Sequence, residues 1–271
     1  MTDAPPDDAL VWLNGALVPA RSARIDPSDR GLLLGDGLFE TIRVATGQPC
    51  HVGRHIARLR AGATLLRLAV PDDVVLHCAF AALIAAHGLV DGVLRLTVTR
   101  GAGPRGVLPQ PGQTPTVMVT AALLPPATGP VRVIIARGIA RDAASPLCRI
   151  KSLNYLPGIL ARIEAEERGA ADAILLNHAG IVAESSVATV FLRRDGAWLT
   201  PRLADGALPG IRRAVLLDTG KVREAEIRPD WLFEAEALCL GNALGLRAVS
   251  HVEDREIGRD ISALATLTAP A

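Results

Sequence analysis

The sequence predicts an α+β fold in two domains. Three observations carry this expectation. Helical and extended stretches are mixed, without the regular strand–helix alternation of a parallel α/β sheet. The stretch LLPPATGP, residues 123–130, has the proline, glycine and small residues of a linker. The chain has 271 residues, 49% of them apolar, which suits one large or two small domains with a real core. The expected organisation is an N-terminal α+β domain over 10–122, a linker over 123–130 and a C-terminal domain over 131–271.

The elements run in this order. The start, MTDAPPDDAL, is acidic and proline-rich and reads as a short disordered lead, without the basic and apolar segments of a signal peptide. LVWLNGALVPA places Asn14-Gly15 between apolar runs, a hairpin signal. GLFETIRVATGQPCHV alternates, is rich in β-formers and turns at Thr46-Gly47. From Gly53 the period changes, and Ile56, Leu59, Ala63 and Leu66 fall on one helical face. A second helix follows Pro71 and stops at Gly88; VLRLTVTR and TPTVMVTAALL are strands. After the linker, VRVIIAR is a strand. SLNYLPGILARIEAEERG is a helix with Leu156, Leu160 and Ile163 facing inward and Gly169 as its stop. DAILLN and VATVFLR are strands, LPGIRRAVLLDTG opens and closes a helix, and ALCLGN and LRAVSHV are again extended. No internal repeat and no low-complexity tract is visible.

Charge excludes some partners. There are 29 basic and 28 acidic residues, with no long basic run, so no field gathers nucleic acid or an acidic membrane. No apolar stretch reaches the roughly 18 residues of a membrane span. Cys50, Cys78, Cys148 and Cys239 are far apart and form no CxxC pair, which fits a reduced, cytoplasmic setting rather than a metal site or disulfide framework. One bias is sharper: only Lys151 and Lys221 are lysine, and the other 27 basic residues are arginine. Lysine can lose its proton and form a Schiff base, and arginine cannot. Lys221 sits past a helix-ending glycine, whereas Lys151 sits among apolar residues in CRIKSLNYL.

Three motifs mislead. Gly101-Ala-Gly-Pro-Arg-Gly106 is a formal GxGxxG after a strand, but a dinucleotide site needs a helix opening inside the motif, and Pro104, Pro109, Pro111 and Pro115 prevent one. His51 and His55 have metal-ligand spacing, but Gly53 separates them and no third ligand is evident, so His55 reads as a helix-start or packing residue. Ser185-Ser186 lacks the GxSxG elbow of a serine hydrolase.

RIKSLNYLPGILARIEAEERGAADAILLNHAGIVAESSVATVFL, residues 149–192, resembles the core of the class IV (fold type IV) pyridoxal-phosphate enzymes. DRGLLLGDGLFETIRV at 29–44, HIARLR at 55–60, LPGIRR at 208–213 and GNALG at 241–245 extend the likeness over nearly the whole chain. Each motif is weak alone; their order and spacing carry the resemblance. It implies the two-domain, D-amino-acid aminotransferase-like architecture, a homodimer, and pyridoxal 5'-phosphate held as a Schiff base by Lys151. It implies Glu184 facing the pyridine nitrogen, which a carboxylate keeps protonated. The phosphate falls to Arg58 of H-x-x-R-L, to the first turn of the helix at Ile211 and Arg212, whose N–H groups suit a dianion, and to Asn242 and Ala243. Tyr155 resembles a tyrosine aimed at the cofactor's phenolic oxygen, one residue closer to the lysine than in branched-chain aminotransferases. Phe39 reads equally as pocket lining or core.

The resemblance covers lyases and aminotransferases alike, and function has to come from the site. Asn242-Ala243-Leu244 and the loop TRGAGPRG resemble aminodeoxychorismate lyases, with Arg105 placed to hold a substrate carboxylate. Val107 stands where D-amino-acid aminotransferases have histidine and lyases often an aromatic ring, and Arg95 matches a branched-chain aminotransferase arginine. The expected activity is a lyase that converts 4-amino-4-deoxychorismate to 4-aminobenzoate and pyruvate in folate biosynthesis. The alternative is an aminotransferase for branched-chain or D-amino acids. Lys151, Glu184 and Arg58 together argue against a non-catalytic binding protein.

Overall fold

The computed structural model describes residues 9–126, 129–257 and 263–268. The first eight residues of the expected lead and residues 127 and 128 of the expected linker lie outside the described residues. The chain divides into two compact units. One runs to Pro125 and takes in Ile150–Asn154; the other comprises Pro126–Arg149 and the chain from Tyr155.

The first unit is a six-stranded antiparallel sheet in the order β2-β1-β6-β5-β3-β4, counted among the described residues. Its strands are β1 (Leu10–Leu13), β2 (Ala16–Pro19), β3 (Gly37–Ala45), β4 (Gln48–Pro49), β5 (Gly92–Thr99) and β6 (Thr116–Leu123). Asn14 and Gly15 both have positive φ, 48° and 104°, the two-residue turn whose twist matches a hairpin. Helices α1 (Arg30–Leu34), α2 (Val52–Leu66) and α3 (Asp73–His87) complete the unit. α2 packs on β3, and α3 packs on β1 and β6. Ile56, Leu59 and Ala63 of α2 are buried with Leu38, Ile42 and Phe80, and Leu66 is partly buried against them, so the expected face is the observed one. Each large apolar side chain so buried contributes about 1.5–3 kcal/mol.

The lysine segment is added to this sheet by hydrogen bonds. Phe39 N–H donates to Lys151 O at 3.0 Å, Leu153 N–H donates to Gly37 O at 3.0 Å, and Leu38 and Ser152 form an antiparallel bridge. These bonds occupy the edge of β3 not used by β5. They hold residues 151–153 extended, so the expected helix cannot begin at Ser152; it begins at Leu156, with Pro157 in its first turn. They also place Lys151 in the first unit, whereas the sequence reading put it in the C-terminal domain.

The second unit is a nine-stranded mixed sheet among the described residues. Its order is β12-β11-β10-β13-β14-β7-β8-β9, with β15 beside β14. The strands are β7 (Val131–Ile135), β8 (Asp172–Leu176), β9 (Val182–Ser185), β10 (Thr189–Arg194), β11 (Ala197–Pro201), β12 (Arg223–Ala225), β13 (Ala237–Asn242), β14 (Gly245–Val252) and β15 (Arg255–Glu256). The helices are α4 (Leu156–Glu167), α5 (Ile211–Asp218), α6 (Pro229–Phe233) and α7 (Leu264–Thr268). The expected inward face of α4 is wrong. Leu156, Leu160 and Ile163 are exposed, and Ala161 and Ala165 face β8 with Ile134, Ala173 and Leu175. The approach is too close for larger groups: a Cβ on Gly158 would lie 2.8 Å from Ser186 O.

Gly37 tests the lysine's attachment. A Cβ there would meet Val98 O at 2.6 Å and Leu153 Cδ1 at 2.8 Å. Gly37→Ala should therefore lower stability by about 1–3 kcal/mol, read as a lower urea midpoint. An unchanged midpoint would mean that Leu153 does not pack on β3.

Candidate active site

Each unit carries its own set of chemical groups. In the first, the segment Gly35–Glu40 organises three of them. Phe39 is buried but lies outside the helix-side cluster. Its ring carries Lys151 Nζ at 4.3 Å and the Arg95 guanidinium at 4.0 Å, both within cation–π reach. The ring thus orients the amine as well as filling space.

One residue on, Glu40 points to the helix side and is 1% exposed. Arg58 donates to it from Nε at 2.8 Å and Nη2 at 2.5 Å, and His55 Nδ1 lies 2.6 Å away. Both partners come from one turn of α2. Burial alone would push the Glu40 carboxyl up, but hydrogen bonds from His55 and Arg58 outweigh it and hold the group below its ordinary value. His55 is therefore a buried packing histidine. Among the described residues no group of His, Cys, Asp and Glu could hold a metal ion. Arg58 is fixed in orientation by Glu40, and the guanidinium has five donors in all.

Asp36 sits before β3 and joins two buried arginines, Arg30 Nε at 2.9 Å and Arg100 Nε at 2.8 Å. Arg30 reaches on to the loop of residues 101–107, where Arg105 is exposed. No helix follows the glycines of this loop, as its prolines require.

In the second unit, Glu184 lies on β9 opposite Leu175 of β8. Arg141 Nε sits 2.9 Å from Glu184 Oε1, and Leu208 N–H donates to Oε2 at 3.0 Å. Arg141 also donates to Gly206 O at 3.3 Å, so one arginine ties the carboxylate to the loop that supplies its other donor. α5 follows that loop. Its N-cap is Gly210, which has no side chain to cap the first turn at Ile211 and Arg212. Ile211 is buried and Arg212 half-buried. The helix is anchored inward by Arg213, which pairs with Glu224 and donates to Pro201 O. A Cβ at Gly210 would fill the space beside Thr189 Oγ1, 2.9 Å away. Thr189 is itself opposite Gly241, next to Asn242 and Ala243. Asn242 Oδ1 accepts from Leu244 N–H at 3.0 Å, which leaves the amide hydrogens as what Asn242 offers an anion.

The sequence reading singles out neither Arg141 nor Thr189, although Thr189 lies within the 149–192 stretch; cross-strand register and a long-range ion pair bring them in. Tyr155 caps α4 and lines a cleft of about 520 Å³ with Gly158, Arg162 and Glu166. That cleft contains neither Glu184 nor the start of α5. The chemistry thus comprises an amine on an aromatic ring, a carboxylate paired with an arginine, and a helix start with glycine at its N-cap beside a threonine. This donor set suits pyridoxal 5'-phosphate, which has an aldehyde, a basic ring nitrogen and a phosphate.

Comparison with known proteins agrees. The family model for class IV amino-transferases matches residues 37–252. The chain is 34% identical over 227 residues to a Methanocaldococcus jannaschii protein assigned, provisionally, as a branched-chain-amino-acid aminotransferase, covering 80% of this chain and 76% of that one. It is 32% identical over 260 residues to a D-alanine aminotransferase of Listeria innocua, covering 91% and 89%. The crystal structure of 4-amino-4-deoxychorismate lyase from Pseudomonas aeruginosa superposes with a TM-score of 0.83 at 30% identity, covering 96% of this chain and 97% of that chain.

Glu40→Gln should cost roughly 3 kcal/mol at neutral pH, because Arg58 and His55 lose a buried counter-charge. A carboxyl held below its ordinary value stabilises fully above the unfolded pKa and loses that contribution as pH falls through the folded one. In urea unfolding, the gap between wild type and variant should persist down to roughly pH 4 and close below it. A gap that is absent at pH 7 would refute the buried pairing.

Proposed function

This chain belongs to the class IV aminotransferase family, and on that premise we propose that it is a pyridoxal-phosphate-dependent aminodeoxychorismate lyase, converting 4-amino-4-deoxychorismate to 4-aminobenzoate and pyruvate. The observation that carries the lyase reading is the 101–107 loop. Arg105 is exposed there in the sequence Gly-Ala-Gly-Pro-Arg-Gly, with Val107 in place of the histidine of D-amino-acid aminotransferases. The Asn242-Ala243-Leu244 turn supports it.

The residues take these roles. Lys151 holds the cofactor aldehyde. Glu184, paired with Arg141, faces the ring nitrogen. Arg58, the Ile211 and Arg212 amides, Asn242 and Ala243 hold the phosphate, with Thr189 beside them. When bound, pyridoxal phosphate supplies a ring that accepts the electrons left when a proton is removed next to the substrate nitrogen. Lys151 Nζ takes that proton from the substrate carbon. Arg105 holds a substrate carboxylate. The C–O bond to the enolpyruvyl group breaks, the released enolate takes at its methylene carbon the proton that Lys151 removed, and pyruvate leaves. The remaining ring is aromatic, which makes the step downhill.

A second reading, an aminotransferase for branched-chain or D-amino acids, is favoured by Arg95. Its guanidinium stacks on the same ring as Lys151, where it could take a carboxylate. A homodimer also belongs to the proposal. The exposed α4 stripe of Leu156, Ile159, Leu160 and Ile163 offers a second copy an apolar surface. No described helix is long and apolar enough to cross a membrane. The four cysteines are free, which accords with a cytoplasmic setting.

Two measurements test this. Borohydride treatment of the pyridoxal-phosphate-loaded protein should fix the label on Lys151, found by peptide mapping, and Lys151→Ala should carry none. Label on Lys221 would sink the assignment. With aminodeoxychorismate alone, pyruvate and 4-aminobenzoate should form in equal amounts over many turnovers, because a lyase needs no keto-acid acceptor. No product, together with stoichiometric bleaching of the cofactor band by a branched-chain or D-amino acid, would establish the second reading instead.

A further inference from the structure

The side chain of Arg30 is buried, at 5% exposure, yet it touches no expected substrate or cofactor group. Its three nitrogens are all used. Nε donates to Asp36 Oδ2 at 2.9 Å, Nη1 to Gly106 O at 2.7 Å and Nη2 to Val107 O at 2.6 Å. Two consecutive carbonyls of one loop therefore enter a single guanidinium fork. The same Asp36 holds Arg100, whose Nη1 and Nη2 donate to Arg67 O at 2.9 Å and Leu66 O at 2.8 Å, the carbonyls at the C-terminus of α2. Burial would push the Asp36 carboxyl up, but the bonds from Arg100 and Arg30 hold it below its ordinary value. One carboxylate and four carbonyls thus satisfy two buried cations, and a continuous chain of charged bonds links α2 to the loop.

The loop sequence is fitted to this clamp. Gly106 has φ +121°, a conformation that lets its carbonyl and the next face the same fork, and that L side chains rarely adopt. Gly103 leaves room for Arg30: a Cβ there would come within 3.3 Å of Arg30 Cδ and would clash with the Gln113 amide. Gln113 Nε2 in turn donates to Ala102 O at 2.9 Å, and Gly103 N–H donates to Ser28 O at 3.2 Å. Pro104 limits φ just before Arg105. The backbone on both sides of Arg105 is fastened inward while its side chain stays exposed.

We infer that Arg30 is a positioning residue for the substrate: by clamping the Gly106 and Val107 carbonyls it presents Arg105 to the substrate carboxylate. This rests on the reading of Arg105 as that carboxylate's partner. The benefit is entropic. A free loop must be ordered each time substrate binds, and the clamp has already ordered it.

The test compares pyridoxal-phosphate-loaded wild type, Arg30→Met, Arg30→Lys, Arg105→Ala and the Arg30→Met/Arg105→Ala double variant on aminodeoxychorismate. Arg30→Met should raise KM about tenfold and change kcat less than about twofold. The dissociation constant for pyridoxal phosphate should stay at the wild-type value. Arg30→Lys reaches one carbonyl and should recover part of the loss. The double variant should be no worse in KM than Arg105→Ala alone, because both act through one contact. Trypsin should cut after Arg105 faster in Arg30→Met than in wild type. If Arg30→Met does not fold, Gln113→Ala, which frees Ala102 O at the exposed end of the loop, should show the same KM rise to a smaller degree. A raised KM in Arg105→Ala beside an unchanged KM in Arg30→Met, or fully additive effects, overturns the proposal alone. An unchanged KM in Arg105→Ala, or no turnover by wild type, overturns the reading beneath it.

Discussion

The edge of β3 at residues 37–39 is the constraint on which the rest of the first unit depends. Two backbone hydrogen bonds there, from Phe39 N–H and to Gly37 O, fix the extended segment that bears Lys151. The segment is followed by a helix and preceded by a 3₁₀ turn at Pro146–Arg149. The pairing demands small residues where the chains meet. Gly35, with φ +64°, lies against Asn154, whose Nδ2 donates to Gly35 O, and Gly37 lies between Val98 and Leu153. The glycines of G-D-G-L-F-E are thus explained by packing as much as by turning.

The same few residues then distribute charge. β3 alternates, so Phe39 turns its ring toward Lys151 and Glu40 turns into the helix side. A buried carboxylate is costly unless fully bonded. Glu40 meets that requirement with Arg58 and His55, Asp36 with Arg30 and Arg100. In the second unit Arg141 does for Glu184 what these arginines do for Asp36, and it too reaches onward to a backbone carbonyl. Arginine suits this use because its planar fork serves a carboxylate and a carbonyl at once, and because it stays charged when buried. That gives a physical reason for the near-absence of lysine. Where a cation is structural, arginine is the better residue; where an amine must lose its proton, only lysine serves.

Local features of the fold were legible in the sequence. Asn14-Gly15, Thr46-Gly47 and the stop at Gly88 are decided by backbone geometry within a few residues, and the face of α2 comes from its period. The site expected from the sequence rests on motifs at Lys151, at Glu184 and at the LPGIRR turn. The features that were not legible depend on distant pairing. α4 presents Ala161 and Ala165 inward because the surface of β8 allows only a close approach, and no periodicity rule prefers alanine over leucine there. The membership of Lys151 in the first unit comes from hydrogen bonds to a strand more than a hundred residues earlier. Arg30 and Thr189 lie inside motifs without a role that the motif assigns, and Arg141 lies outside them; each is defined by its partner across the fold.

Under the proposed function, the choice between lyase and aminotransferase turns on parts of the first unit that do not perform the shared first step. In the proposed function Lys151 and Glu184 serve proton removal next to nitrogen in either case, so they do not separate the two later fates. Arg95 and Arg105 do bear on them. Arg95 is on a strand, stacked on a buried ring, and its position is fixed by the sheet. Arg105 is on a loop whose backbone is fixed by a buried guanidinium instead. A loop can differ in length and ring content between relatives without disturbing the sheet, and here it carries the aliphatic Val107. On the proposed reading, substrate choice in this chain is built on a clamp of two carbonyls, separate from the groups that move the proton.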